Sequence, residues 1–244
     1  MITTTPSAAP TRRDRAQQDH DIRAEVMRAS RDLEEASAQD ILRWAFQRFG
    51  AGLVLTSSLA DTVMIHLAEQ AAPGIDVIFL DTGYHFVETI GTRDAVQAVH
   101  NVNLLSITPV QSVAEQDATY GKDLFARNPD QCCALRKVQP LNRALEGYSA
   151  WATGLRRADS PSRANTPVVS WDAKRHLVKI APIARWSDQD VADYIEANSL
   201  MVNPLLEEGY PSIGCAPCTL KADLNDPRAG RWAGLAKTEC GIHL

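Results

Sequence analysis

The 244-residue sequence has no apolar run approaching the roughly 18–20 residues that a bilayer-spanning helix needs, and its start holds no apolar core of the kind that opens a secretory leader. A soluble, cytoplasmic protein without a membrane partner is the expectation. Positive charge does not prevail either: 25 Lys and Arg stand against 30 Asp and Glu, a formal charge of −5. General nucleic-acid binding needs a basic face and is therefore disfavoured, while a local cationic pocket for a small anion stays compatible with the total. There is no internal repeat and no clean linker, so one large domain is expected. Cysteine is scarce, at five residues, 132, 133, 215, 218 and 240. An odd number in a cytosolic chain, arranged as two pairs and one remainder, fits four metal ligands and a free thiol better than disulfides.

What is present is ordinary globular material: 45% apolar residues, enough for one core without disulfide staples. Residues 1–20 mix Thr, Pro, Arg, Asp and Gln with little to bury and read as a disordered lead, 21–230 as a single α/β domain, and 231–244 as a flexible C-terminal tail. Ile22, Val26, Ala29 and Leu33, then Ile41, Leu42, Ala45, Phe46 and Phe49 up to Gly50, recur at helical spacing. Leu53–Thr56, Asp76–Leu80 and Asn103–Ile107 are short apolar runs that alternate with helical patterns at Val63–Ala71 and Val87–Val99. Such alternation predicts an open, mostly parallel sheet with helices on both faces. A helix is expected directly after the first cysteine pair (Leu135, Val138, Leu141, Leu145), a further strand at Ala150–Thr153, and a hairpin around 172–176. Ser187–Asp190 opens a capped helix carrying Val191, Tyr194 and Ile195.

The polar residues at strand ends carry the chemistry. Ser57, Ser58, Asp61 and Thr62 lie where a strand gives way to a helix, and free N–H groups there attract phosphate; an N-cap that binds nothing is the alternative. Asp81, Thr82 and Gly83 follow the second strand, where they could read an adenosine hydroxyl or amine. Cys132-Cys133 and Cys215-x-x-Cys218 supply four thiolates, and adjacent cysteines suit an iron–sulfur cluster better than zinc, whose ligands are normally spaced by two to four residues. Cys240 stands apart near the end, where Lys237 or His243 could stabilise its thiolate. Arg156, Arg157, Arg163, Arg228, Arg231 and Lys137, grouped near Thr153-Gly154 and the final cysteine, suit phosphate or sulfate oxygens.

Taken together, these segments resemble the bacterial assimilatory adenosine 5′-phosphosulfate (APS) reductases, the iron–sulfur branch of the APS/PAPS (3′-phosphoadenosine 5′-phosphosulfate) reductase family. The resemblance is carried by Ser57–Asp61, Phe79–Thr89, Cys132-Cys133 with Arg136-Lys137, Trp151–Arg157, Asn203–Leu205, Cys215–Thr219, Arg228–Trp232 and Lys237–His243. It implies an adenine-nucleotide alpha-hydrolase-like fold, related to the PP-loop families, although Ser58 and Leu59 replace the two loop glycines of those families. It implies further that Cys240 attacks the sulfur of APS, releasing AMP and leaving an S-sulfonate from which thioredoxin frees sulfite. Ser57, Ser58, Asp61, Asp81, Thr82, Gly83, Lys137, Thr153, Gly154, Arg156, Arg163, Arg228, Arg231 and His243 would bind substrate, and Cys132, Cys133, Cys215 and Cys218 would hold a 4Fe-4S cluster. Arg163 falls in a segment, 158–166, that departs from the family pattern. A PAPS reductase and a PP-loop tRNA-thiolating adenylase are the competing enzymes; the latter would need ATP, Mg²⁺ and a basic face. A zinc-stabilised interaction domain is the non-enzymatic alternative, and the sequence leaves a homo-oligomer open.

Overall fold

The computed structural model describes residues 12–223 and 225–243, with side chains from residue 20 onward. Its sheet is built from β1 (Leu53–Thr56), β2 (Asp76–Leu80), β3 (Asn103–Ile107), β4 (Ala150–Thr153), β5 (Val169–Asp172) and β6 (Leu177–Ile180). The strand order is β3-β2-β1-β4-β6-β5. Every neighbouring pair is parallel except the β5/β6 hairpin. The expected open, mostly parallel sheet is therefore present.

Because successive side chains on a strand point to opposite faces, each central strand feeds two cores. Leu53 and Leu55 of β1, Val77 and Phe79 of β2, and Ala150 and Ala152 of β4 enter the larger one, which also takes residues from α1 (Arg12–Asp32), α2 (Ala38–Phe49) and α3 (Val63–Ala71). Val54, Ile78 and Trp151 point the other way, onto Leu141 of α8 (Gln139–Ala144). The remaining helices are α4 (Val87–Val99), α5 (Val113–Tyr120), α6 (Leu124–Arg127), α7 (Pro129–Cys133) and α9 (Asp188–Ala197). No helix of the described residues is long and apolar enough to cross a membrane.

One expectation needs correction. The disordered lead assigned to residues 1–20 is helical from Arg12, since Arg, Ala and Gln are good helix formers even where there is little to bury; residues 1–11 lie outside the described residues. The helix expected directly after the first cysteine pair is present: the pair itself closes α7, and the chain continues through a π-helical turn, Ala134–Val138, into α8, with Pro140 in its first turn. Pro is tolerated there because its missing N–H belongs to the first-turn donors. The short helix α5 opens on a complete capping box formed by Ser112 and Glu115.

The order of the strands decides where a ligand can sit. From β1 the chain builds outward through β2 and β3, then returns to place β4 on the other side of β1. In open α/β sheets the crevice outside the carboxyl ends of two such strands is the binding position. Here those ends are Thr56 and Thr153, paired in register.

Candidate active site

Ser57 and Gly154 continue directly from this pair, so the two loops face one crevice. The first loop turns without glycine: Leu59 takes a left-handed backbone, φ 58°, with its side chain fully buried. Burial of a leucine, worth about 1.5–3 kcal/mol, offsets the roughly 1–2 kcal/mol that a left-handed L-residue costs. The Ser57 hydroxyl accepts from the Leu59 N–H at 3.2 Å, and the Asp61 carboxylate accepts from the Val63 N–H at 2.9 Å. Burial raises the Asp61 carboxyl above its ordinary value. The Asn203 amide, fully buried, donates to the Leu59 carbonyl at 3.3 Å and to the Thr89 hydroxyl at 3.0 Å, and pins the loop from below. This role of Asn203 is set by tertiary position, since Leu59 and Thr89 are remote from it in the chain.

The loop after β2 is held by an arginine. Arg136, nearly buried, donates Nε to the Thr82 carbonyl and Nη1 to the Gln116 side chain at 3.1 Å, and its guanidinium lies over the Tyr84 ring. Asp81 accepts from the Gly83 N–H at 3.0 Å. The Thr82 hydroxyl, expected to meet a nucleotide, stands 3.3 Å from the Cys215 sulfur.

That contact belongs to the cysteine cavity. Cys132, Cys133, Cys215 and Cys218 all line one opening, together with Arg136, Lys137, Tyr84 and Trp232. All five cysteines are free. Burial pushes the thiols up, to about 12 for Cys132 and about 11 for Cys133. Neutral thiols are what such a pocket favours until a metal or other positive charge compensates the anions. No three described His, Cys, Asp or Glu side chains stand close enough to hold a single metal ion.

The described tail residues are seated rather than free. His243 stacks on Trp151 with ring centres 5.6 Å apart and planes 8° from parallel, while Ile242 packs on the Val54–Ile78–Leu141 cluster. Glu239 is gripped by Arg163 in a two-pronged ion pair, both bonds 2.9 Å. Cys240 is half-buried between these anchors. In their thiolate forms Cys240, Cys215 and Cys133 favour the protonated form of Lys137 despite its burial. His243 cannot serve Cys240 as a cation, because burial and the surrounding Lys179 and Arg163 push its pKa well below the ordinary value. Lys237, the other expected partner, reaches Asp130 of α7 instead.

The remaining cations sort themselves by partner. Arg156 pairs with Asp159 and Asp188, and Arg157 with Glu34, so both are committed to carboxylates of the fold. Arg163 and Arg228 meet Glu239, and Arg163 also reaches Asp159 through Nη1 at 2.9 Å. Arg231 instead donates to the Ser212 hydroxyl and the Ile213 carbonyl, each at 3.3 Å, and keeps a buried Nε–H with no partner. Lys137 and Arg231 are thus the cations here whose strongest neighbours include no carboxylate, one beside the cysteine cavity and the other against Gly214.

A mostly parallel sheet with polar loops at its switch point defines an α/β fold of the nucleotide-binding kind. Residues 52–221 match the phosphoadenosine phosphosulfate reductase domain, and the chain belongs to that family. It is 56% identical over 227 residues to the adenosine 5′-phosphosulfate reductase of Mycolicibacterium smegmatis, covering 93% of this chain and 96% of that one. With the adenosine 5′-phosphosulfate reductase of Streptomyces coelicolor it shares 60% identity over 224 residues, 91% of this chain and 95% of the other. The phosphoadenylyl-sulfate reductase of Candida auris, solved as a phosphate complex, superposes with a TM-score of 0.70 at 28% identity over 88% of this chain and 100% of that one. Candida glabrata FMN adenylyltransferase shares the fold alone, with a TM-score of 0.55 at 13% identity over 81% of this chain and 66% of that one.

Proposed function

We propose that this protein reduces adenosine 5′-phosphosulfate to sulfite and AMP, with Cys240 as nucleophile and a reduced thioredoxin as electron donor. The observation that carries the reading is the convergence of Cys240 with Lys137 and the four-cysteine cavity, near the crevice where the fold binds nucleotides. The names of the relatives, adenosine 5′-phosphosulfate reductases, point to the same substrate.

The chemistry balances as two thiol displacements. The Cys240 thiolate attacks the sulfur of the phosphosulfate; a sulfur–sulfur bond forms, the sulfur–oxygen bond to the phosphate breaks, and AMP departs with the electron pair. A thioredoxin thiolate then attacks the Cys240 sulfur, sulfite leaves, and the second thioredoxin thiol resolves the mixed disulfide. Two electrons pass from the dithiol to sulfur, and Cys240 is regenerated. Charge shifts from sulfate to phosphate oxygens during the first step, so fixed cations at those oxygens lower the barrier. Lys137 and Arg231 suit this role, because neither gives its charge to a carboxylate of the protein. Ser57, Ser58, Thr153 and Gly154 bound the nucleotide crevice, and Asp61, Asp81 and Gly83 act by shaping its loops.

Cys132, Cys133, Cys215 and Cys218 fit a 4Fe-4S cluster: four thiols line one cavity, the Thr82 hydroxyl touches one sulfur, and Arg136 and Lys137 offset the negative charge of ligated thiolates. Bound there, the cluster would organise α7 against the Cys215–Cys218 turn and set the local field; no step requires it to carry electrons. A larger cofactor also spreads its ligands more widely than the single zinc ion, with bonds of about 2.3 Å to sulfur, that an interaction domain would use.

The deciding experiment is anaerobic incubation of purified protein with APS but no reductant, followed by mass spectrometry. One added sulfonate group on the peptide containing Cys240, absent in Cys240→Ser, is expected. An unmodified peptide, or kcat/KM favouring PAPS in a parallel assay, would refute the assignment.

A further inference from the structure

Two arginines beside the crevice are already filled by the chain's own tail. Arg163 donates Nε and Nη2 to the two oxygens of Glu239, each at 2.9 Å, and the Ser162 hydroxyl reaches the same carboxylate at 3.4 Å. Arg228 stands 3.3 Å from it and donates to the Thr238 carbonyl at 2.7 Å. Side-chain exposure is only 16% for Arg163, 18% for Arg228 and 13% for Glu239, so water screens the cluster weakly. Planar guanidinium forks with a hydroxyl are also the donors that a phosphate or sulfate group selects. One set of N–H groups cannot serve both anions at once.

The same tail has a second, independent hold on the fold. His243 lies on Trp151 and Ile242 on the apolar cluster beneath it, both beyond Cys240 in the chain. Between the two anchors Gly241 takes φ 82°, a conformation open to glycine and strained for other residues. With the Glu239 anchor lost, Lys237 on Asp130 and the docked end of the tail remain, and Gly241 is the pivot between them for the Cys240 segment.

We propose that Glu239 is a positioning residue: its carboxylate holds Arg163 and Arg228 assembled as an anion site and cedes them to the phosphosulfate of the entering nucleotide, so that substrate binding itself frees Cys240 to move. The phosphosulfate carries two acidic groups against one on Glu239, which gives the exchange its direction. This inference rests on the sulfonucleotide reading above. It also reconciles the anion-binding expectation for Arg163 and Arg228 with their pairing to a carboxylate.

The test is the sign of one change. In Glu239→Gln the tail's competing charge is gone, while Asp159 stays on the Nη1 of Arg163 at 2.9 Å, so the KM for APS and the dissociation constant for AMP should both fall, on the order of tenfold, or about 1.4 kcal/mol. Tryptic cleavage after Lys237 should be fast without ligand; in the unsubstituted protein the same cleavage should be slow and accelerate when AMP or APS is added. Glu239→Asp, which keeps the charge, should restore ligand-dependent cleavage in part. If Glu239 served only as a structural brace, Glu239→Gln would weaken nucleotide binding; that outcome, or cleavage indifferent to ligand, overturns the proposal. Formation of the Cys240 sulfonate in the unsubstituted protein is scored separately: its absence defeats the proposed reaction, whereas a normal adduct with unimproved binding in Glu239→Gln defeats this inference alone.

Discussion

The ring of His243 lies flat on the buried ring of Trp151, 5.6 Å between centres and 8° from parallel, and joins the end of the chain to the middle strand-pair of the sheet. An aromatic pair of this kind contributes about 0.5–1.5 kcal/mol beyond the area it buries. His243→Ala should therefore raise the fraction of undocked tail by roughly three- to tenfold, without altering the melting temperature of the domain by more than a few degrees. The rate of Cys240 alkylation in the ligand-free protein reports it; an unchanged rate would mean that the stack does not hold the tail.

Cys218 lies in the short turn Ala216–Cys218 and faces the cavity shared with the other three thiols. Cys218→Ser is expected to strip iron and inorganic sulfide from the purified protein and to abolish its visible colour. Full retention of both would contradict ligation by this residue.

The guanidinium of Arg231 lies so close over Gly214 that a methyl group there would collide with it. Gly214→Ala should push Arg231 out of the site. The expected result is a KM for APS raised about tenfold or more, the scale of a lost charge-assisted hydrogen bond. Circular dichroism and thermal melting should stay near those of the unsubstituted chain. A KM close to the original would show that Arg231 does not contact the anion.

Lys179 of β6 faces Trp151 and the tail, and burial pushes its pKa down to about 8. The unfolded chain keeps this group protonated to about pH 10.4. Between about pH 8 and 10.4 the unfolded state thus binds more protons, and this group makes stability rise with pH through that window. Below pH 8 its charge is a cost to the folded state. Lys179→Met should flatten the difference in denaturation midpoint between pH 7.5 and 9.5 relative to the unsubstituted protein. Equal pH slopes for the two proteins would remove Lys179 as the source.

Much of this architecture is legible along the chain, because burial on both faces leaves its mark as short apolar runs. Strands β1 to β4 and the β5/β6 hairpin fall where the apolar runs and turn residues placed them. Legibility stopped where a residue's partner is remote. Arg136 reads as one more cation next to a cysteine pair, yet its bond to Thr82 spans 54 positions and makes it the strut of a loop. Arg156 and Arg157 read as anion-binding residues; Asp159, Asp188 and Glu34 claim them once the chain folds.

Residue type and local spacing by themselves determined the class of the fold, the pairing of the four cysteines and the isolation of Cys240, since periodicity and chemical identity are properties of neighbours in the chain. Tertiary structure alone decided which cations remain unclaimed and that the tail carboxylate sits on Arg163 and Arg228. It also decided that His243 is buried and uncharged against Trp151. Charge pairing and desolvation depend on distance in space, and residues 76 apart such as Arg163 and Glu239 acquire that distance only through folding.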